Sequence, residues 1–371
     1  MLKRLAVAVA LLVTGSTLLP AQPSPPTIHS YIAFDGIRVE HPAVASTGIF
    51  VRRTIDGVTW EPPVTVIDHR NTVMPFEDKP WVVVDRTAAS PHRGNVYIAW
   101  TRFDVYGSTD PEHRSTIWFA RSRDGGRSFQ PTNGISDDTG DAKDSDGTLE
   151  EAVPAVGPEG QVYVVWAGPR GLSFDRSDDG GWTFGTDRLI GTLAAGWDLP
   201  VPGVERHNGM PATSVDLSSG PNRGSLYVNY IDERDGDTDV FLLISRDGGD
   251  SWGTPVRVND DPKGAVQMFT WMAVDPTDGS IDVVFHDRRG LSGTMTGVTL
   301  ARSIDGGRTF VNHAVPVEPF DCCAASGFVG DYNGLDAYGG RVVAVFPVIA
   351  GGQQRIMAAS MRFRSGTQTL M

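Results

Sequence analysis

Cysteine is nearly missing from this chain: 371 residues hold two, and they are neighbours, Cys322-Cys323. A disulfide framework tying distant segments is therefore excluded. What remains is a vicinal bridge that stiffens one loop, or two buried thiols. Positive charge is scarce as well. Lys and Arg number 32 against 45 Asp and Glu, and the formal charge of −13 disfavours nucleic acid or an anionic membrane surface as a partner. The apolar run at residues 5–13 is too short to span a bilayer, and no segment carries the apolar period of a helix. No His/Cys spacing suits zinc, no glycine-rich loop suits phosphate, and no Gly-x-Ser-x-Gly turn is present.

Glycine and proline, by contrast, are plentiful, at 43 and 25. Much of that glycine falls in one repeated sentence. Ser303-Ile304-Asp305-Gly306-Gly307-Arg308-Thr309-Phe310 recurs as Ser122-Arg123-Asp124-Gly125-Gly126-Arg127-Ser128-Phe129, as Ser177-Asp178-Asp179-Gly180-Gly181-Trp182-Thr183-Phe184, and as Ser245-Arg246-Asp247-Gly248-Gly249-Asp250-Ser251-Trp252. A shortened copy is Thr54-Ile55-Asp56-Gly57-Val58-Thr59-Trp60. Each copy closes an alternating apolar run. Glycines take positive φ, Asp and Ser bond nearby backbone N–H groups, and the aromatic packs back, so each copy predicts a hairpin.

The copies recur at intervals of about sixty residues, with several strand-like runs per interval, which predicts a propeller. In each unit a first strand (81–85, 212–216 or 271–275) precedes a second (95–100, 161–166, 225–230 or 280–285). A third (117–122, 172–177, 241–245 or 298–303) runs into the Asp-Gly-Gly turn, and a short fourth leaves it, as at 255–258. The last unit, 332–338, 341–346 and 355–360, lacks the turn, and the N-terminal segment is expected to supply its outer strand. Residues 1–21 carry an export-signal pattern: Lys3 and Arg4, the apolar run, then small residues and Pro20-Ala21. Residues 22–27 form a disordered lead-in, and 28–371 form one domain. A secreted or periplasmic, soluble monomer is expected.

Strand order places the functional end. In an up-and-down blade the turns after strands one and three share one face, and the links after two and four share the other. The long polar links (104–114, 136–151, 195–210, 232–239, 288–297 and 315–331) therefore rim one mouth of the axis, where a ligand is expected. Arg102, Arg234 and Arg289 recur at the ends of second strands on that mouth. Converging guanidinium groups suit a carboxylate, sulfate or phosphate; the competing reading is that each pairs with its own neighbours, such as Asp232 or Asp287. Just before the first strands stand Asp78-Lys79, Glu151, Glu205-Arg206-His207, Gln267 and Asp331-Tyr332. Carboxyls there suit general acid and base roles if a neighbour or burial raises one pKa. Asp141, Asp144, Asp146 and Gly147 sketch a calcium loop without fitting the EF-hand frame, and Asp232, Asp235, Asp237 and Asp239 form a second acidic cluster. A structural Ca²⁺ is the one metal left open, and no cofactor is expected.

Ser-x-Asp-Gly-Gly-x-Thr/Ser-Phe/Trp at this spacing resembles the Asp-box of the sialidase (neuraminidase) superfamily, over essentially the mature chain. The resemblance implies an all-β fold, a six-bladed β-propeller with four-stranded antiparallel blades. Glycosidases, lyases, glycan-binding proteins and adhesion modules share the motif, so it specifies fold better than activity. Tyr332-Asn333-Gly334-Leu335 is similar to the segment in which sialidases keep a nucleophilic tyrosine, and Arg234 and Arg289 approximate two substrate arginines. The Phe/Tyr-Arg-Ile-Pro segment is absent; Val39-Glu40-His41-Pro42 stands in its place, and Met210-Pro211 stands where the base glutamate is expected. The leading expectation is a sialidase-like glycoside hydrolase acting on an acidic glycan. Arg102, Arg234, Arg289, Arg206 and Lys79 would bind the substrate, Tyr332 would be nucleophile or stabiliser, and Glu151, Asp78 or Asp331 would serve as acid or base. The alternative is a non-catalytic propeller that binds a glycan or a protein.

Overall fold

The computed structural model describes residues 29–33, 37–41, 47–69, 72, 74–130, 133–322 and 329–371. The export segment 1–21, the lead-in 22–27 and Cys323 lie outside them. Six antiparallel sheets follow one another along the chain. Sheet 1 is β1 (His29–Ala33), β2 (Ile37–His41), β3 (Thr47–Arg53) and β4 (Val64–His69). Sheet 2 is β5 (Phe76–Val84), β6 (Val96–Phe103), β7 (Ser115–Ser122) and β8 (Asn133–Gly134). Sheet 3 is β9 (Glu150–Val156), β10 (Val162–Gly168), β11 (Gly171–Ser177) and β12 (Arg188–Gly191). Sheet 4 is β13 (Ala212–Val215), β14 (Leu226–Asp232), β15 (Asp239–Ser245) and β16 (Val256–Arg257). Sheet 5 is β17 (Gln267–Val274), β18 (Ile281–Asp287), β19 (Met295–Ser303) and β20 (Val311–Ala314), with β21 (Phe320–Asp321) against β19. Sheet 6 is β22 (Gly334–Tyr338), β23 (Arg341–Ala350) and β24 (Gln353–Arg362). No described helix is long and apolar enough to cross a membrane.

The first strands face one another: β5 packs on β9, β9 on β13, β13 on β17 and β17 on β22. Trp81 of β5 stacks on Trp271 of β17, with ring centroids 4.2 Å apart, although their sheets are not neighbours in the chain. That contact closes the centre of a propeller. Second strands such as β10 and β14 are buried at every position, because each is covered by a neighbouring blade on both faces. Hence they read as unbroken runs of Val, Ile, Tyr and Trp rather than as alternations.

The predicted hairpins form as self-contained units. In the copy at 245–252, the Ser245 hydroxyl donates to Asp247 at 2.8 Å and accepts from the Gly249 N–H at 2.8 Å. The Ser251 hydroxyl donates to Oδ2 of the same carboxylate at 2.5 Å and its N–H to Oδ1 at 2.9 Å. Bonds from Ser251, then Ser245, hold the Asp247 carboxyl down at about 2. The second glycine meets the preceding blade. A Cβ on Gly249 (φ +92°) would lie 2.3 Å from the Phe174 ring, and one on Gly181 (φ +77°) would lie 2.7 Å from Phe119.

An arginine then staples each turn to the blade before it. Arg53 donates to the Gly125 carbonyl (2.8 Å), Arg121 to Gly180 (3.2 Å), Arg176 to Gly248 (3.3 Å) and Arg246 to Gly306 (3.2 Å). Sheet 6 has no such turn, and there Arg302 donates to the Thr367 carbonyl (3.2 Å), so the C-terminal tail fills the missing place. The N-terminal strand expected at the outer edge of sheet 6 differs from what is found. Residues 29–33 pair with β2, and sheet 6 has three strands among the described residues.

Candidate functional site

At the mouth opposite those turns, the first strands begin earlier than their apolar runs suggest. Register slips between Asp78 and Trp81 on β5 and between Met268 and Trp271 on β17. Lys79 (φ 50°), Glu151 (φ 66°) and Phe269 (φ 53°) hold the same place counted back from their strand ends, each in the left-handed region. A non-glycine residue pays about 1–3 kcal/mol there and persists where surrounding structure imposes it, a pattern that clusters at functional sites. Two of the three bulges bring ionisable groups together. The Lys79 ammonium, 4% exposed, donates to Glu150 Oε2 at 2.5 Å and lies 3.4 Å from Glu151 Oε1.

Both glutamates are fully buried. Neither oxygen of Glu151 makes an aligned hydrogen bond among the described residues, and Glu150 Oε1 is left open in the same way. Burial, opposed by Lys79 and reinforced by Asp78 and Asp331, pushes Glu151 up to about 8. Burial likewise drives Glu150 well above the usual carboxylate range. One ammonium serves two carboxyls, so at neutral pH the pair keeps at least one proton. Glu150 makes the shorter contact with the ammonium, Glu151 stands 3.4 Å from it, and burial raises both carboxyls, so the proton belongs to the pair.

The remaining groups arrive on loops. Asp78 bonds the Lys79 N–H at 2.9 Å, and burial raises its pKa. Arg206, ahead of β13, pairs bidentately with the buried Asp331, its Nε 3.1 Å from Oδ1. Asp144 (φ 60°) reaches in between, with Oδ1 3.8 Å from Lys79 and Oδ2 3.8 Å from Arg206, and it accepts the Tyr106 hydroxyl. Tyr332 stands edge-on to Trp81 at 5.8 Å and within the electrostatic reach of Arg206. Loop 198–207 flanks a hollow of about 570 Å³ that Arg206, Glu205 and His207 line. His207 is buried on Phe269, and burial pushes it down to about 3, so it stays neutral.

The structure therefore gathers Asp78, Lys79, Glu151, Arg206, Asp331 and Tyr332 in one place. It does not gather the three second-strand arginines. Arg102 forks onto the fully buried Glu77 (2.8 and 2.5 Å) and lies 3.3 Å over the Trp118 ring, facing a separate hollow on blade 2. Arg234 binds Asp232 (2.7 Å), the Tyr230 hydroxyl (2.9 Å) and the Thr192 carbonyl. Arg289 binds Asp287, Asp260 and Asn312 (2.8 Å). The convergence expected of them is corrected: carboxylates in or beside each blade reach the guanidinium first. Gln267 is likewise drawn into a buried network with Asn259 (2.8 Å) and Asp287 (3.1 Å).

Glu150, Asp144 and Tyr106 were missed as partners of the site. Glu150 adjoins the singled-out Glu151, and only the bulge reveals that both face Lys79. The sketched calcium loop is spent otherwise. Asp144 faces two cations, and Asp146 Oδ1 accepts the N–H groups of Trp197 (2.8 Å) and Asp198 (2.9 Å). Among the described residues no group of three or more His, Cys, Asp or Glu is placed to hold a metal.

Neither a family model nor a curated relative matches the chain. Solved structures do match. An α-L-arabinanase from Penicillium chrysogenum, complexed with arabinobiose, has TM-score 0.55 at 14% identity over 90% of this chain and 92% of its own. The intramolecular trans-sialidase from Ruminococcus gnavus has TM-score 0.53 at 11% identity over 92% and 95%. The NanB sialidase from Streptococcus pneumoniae has TM-score 0.52 at 10% identity over 90% and 68%. At these identities the likeness is one of fold: a sialidase-like, all-β propeller of the kind these glycosidases use.

Proposed function

We propose that the protein is an exported glycoside hydrolase that works as a monomer at this axial mouth. The observation that carries the reading is Glu151, a fully buried carboxyl 3.4 Å from the Lys79 ammonium and paired with Glu150 around it, on a left-handed bulge at the centre of a fold used by glycosidases. A glycosidase needs one carboxyl to protonate the leaving oxygen and a second group on the other side of the sugar. Glu151 supplies the proton. Asp78, part-exposed at the rim, is the second carboxyl, and Tyr332, beside the Arg206 cation, is nucleophile or stabiliser at the anomeric carbon. Asp331 holds Arg206 in position rather than exchanging protons.

The sialidase type of reaction, which the neighbouring sialidases suggest, needs cations for the substrate's acid group. Among the described residues Lys79 and Arg206 are the cations beside the buried glutamates. A purely binding propeller is the rival, and a buried proton-bearing carboxyl gives it no advantage, since an unpaired one costs stability. The test is a screen of the purified protein against fluorogenic glycosides, sialosides and uronosides included, alongside Tyr332→Phe and Glu151→Gln. Turnover that both variants keep removes the mouth from the mechanism, and no turnover on any glycoside supports the binding reading.

A further inference from the structure

The charge arrangement of the mouth bears on which sugar enters it. Both cations beside the buried glutamates already have a carboxylate: Lys79 has Glu150, with Glu151 and Asp144 beside it, and Arg206 has Asp331, with Asp144 beside it. Carboxyls outnumber cations: among the described residues Asp78, Asp144, Glu150, Glu151, Asp198 and Asp331 gather around Lys79 and Arg206, while buried Arg288 reaches the flanking loop at the Pro202 carbonyl. Asp198 is pushed in the same direction, by burial first and then by Asp146 and Asp144. An incoming sugar acid would add a like charge in a part-desolvated place, and to gain a cation it would have to break a bidentate pair. Aromatic surface is on offer instead. Trp81 and Trp271 are part-exposed and stacked, and part-exposed Tyr332 stands beside them. Such rings bind the C–H face of a sugar with no demand on its charge.

We propose that the axial mouth takes an uncharged glycosyl unit and excludes sugar acids. The inference rests on the reading of the mouth as the glycan site, and it names the substrate class. Asp144 is the gatekeeper: its carboxylate already sits between Lys79 and Arg206, where an acid group of a substrate would have to go.

Equilibrium binding tests this apart from turnover. Trp81 and Trp271 make tryptophan fluorescence a reporter, with calorimetry as a check. Arabinan, galactan and xylan oligosaccharides serve as neutral probes, and sialyllactose and glucuronic acid-bearing oligosaccharides as acidic ones. At low salt at least one neutral probe should bind about tenfold or more tighter than every acidic probe, and the gap should narrow as salt rises. Asp144→Asn should narrow it too. If that variant does not fold, the salt series on the natural protein decides. Acidic probes that bind as tightly as neutral ones overturn the proposal, as does a gap indifferent to salt, and so does the failure of every probe to bind. Neutral sugars bound but never cleaved leave the proposal standing and remove the hydrolase reading instead.

Discussion

The two ends of the propeller are built on opposite terms. At the turn end, each Asp of the repeated hairpins is satisfied within its own eight residues, and each arginine staple finds a carbonyl of the next blade. At the mouth, the residues on the left-handed bulges differ from blade to blade as Lys79, Glu151 and Phe269, buried carboxyl oxygens are left open, and left-handed backbone is held without glycine. Repetition with full satisfaction marks scaffold. Departure from the repeat, at left-handed backbone held without glycine, is what supports the proposal of a site at the mouth.

The difference between the ends is open to direct attack. The largest effect should come from Glu151→Gln, which keeps the shape and removes the transferable proton. Turnover should fall about 10²–10⁴-fold, while stability holds or rises. The sign follows from the raised folded pKa: Glu151's contribution is fully present below 4.5 and is lost as pH climbs towards about 8, so across that window the variant's unfolding midpoint should fall less steeply than the wild type's. Denaturant melts across that range check it.

Next comes Lys79→Met. It leaves Glu150 and Glu151 without their shared cation and should cost about 3–5 kcal/mol in urea unfolding, as for a broken buried pair. Adding Glu150→Gln should recover part of that loss. At the turn end, Gly249→Ala forces a methyl towards Phe174 at positive φ. About 1–3 kcal/mol of stability should go, with kcat unchanged in the folded fraction. Smallest of all, Arg102→Met, Arg234→Met and Arg289→Met should each leave kcat/KM within about twofold, since none touches the reacting atoms. A large loss on any of them would return the arginines to the site.

How far the sequence showed this depends on how local the causing interactions are. The hairpins and the strand ladder were legible because an Asp-Gly-Gly turn carries its own hydrogen bonds, and strand order decides which links share a face. The start of the first strands was not, because Asp78-Lys79-Pro80 reads as a break, whereas β5 runs through it on a bulge. Arg234 and Arg289 had their partners two residues away in plain view, as Asp232 and Asp287. Arg102 had its partner, Glu77, on the neighbouring strand, and only register exposes that pairing. Glu150 and Asp144 gained their roles by meeting Lys79 across two blades, and no spacing in the chain encodes such a meeting.

The account depends most on a carboxyl that keeps its proton at the mouth when the solution is neutral. Infrared difference spectra of the natural protein against Glu151→Gln, taken at neutral pH, read that proton through the stretch of a protonated carboxyl. The account predicts such a band in the natural protein, lost in the variant and fading as alkali is added. Carboxylate bands alone, unchanged between the two proteins, would contradict it.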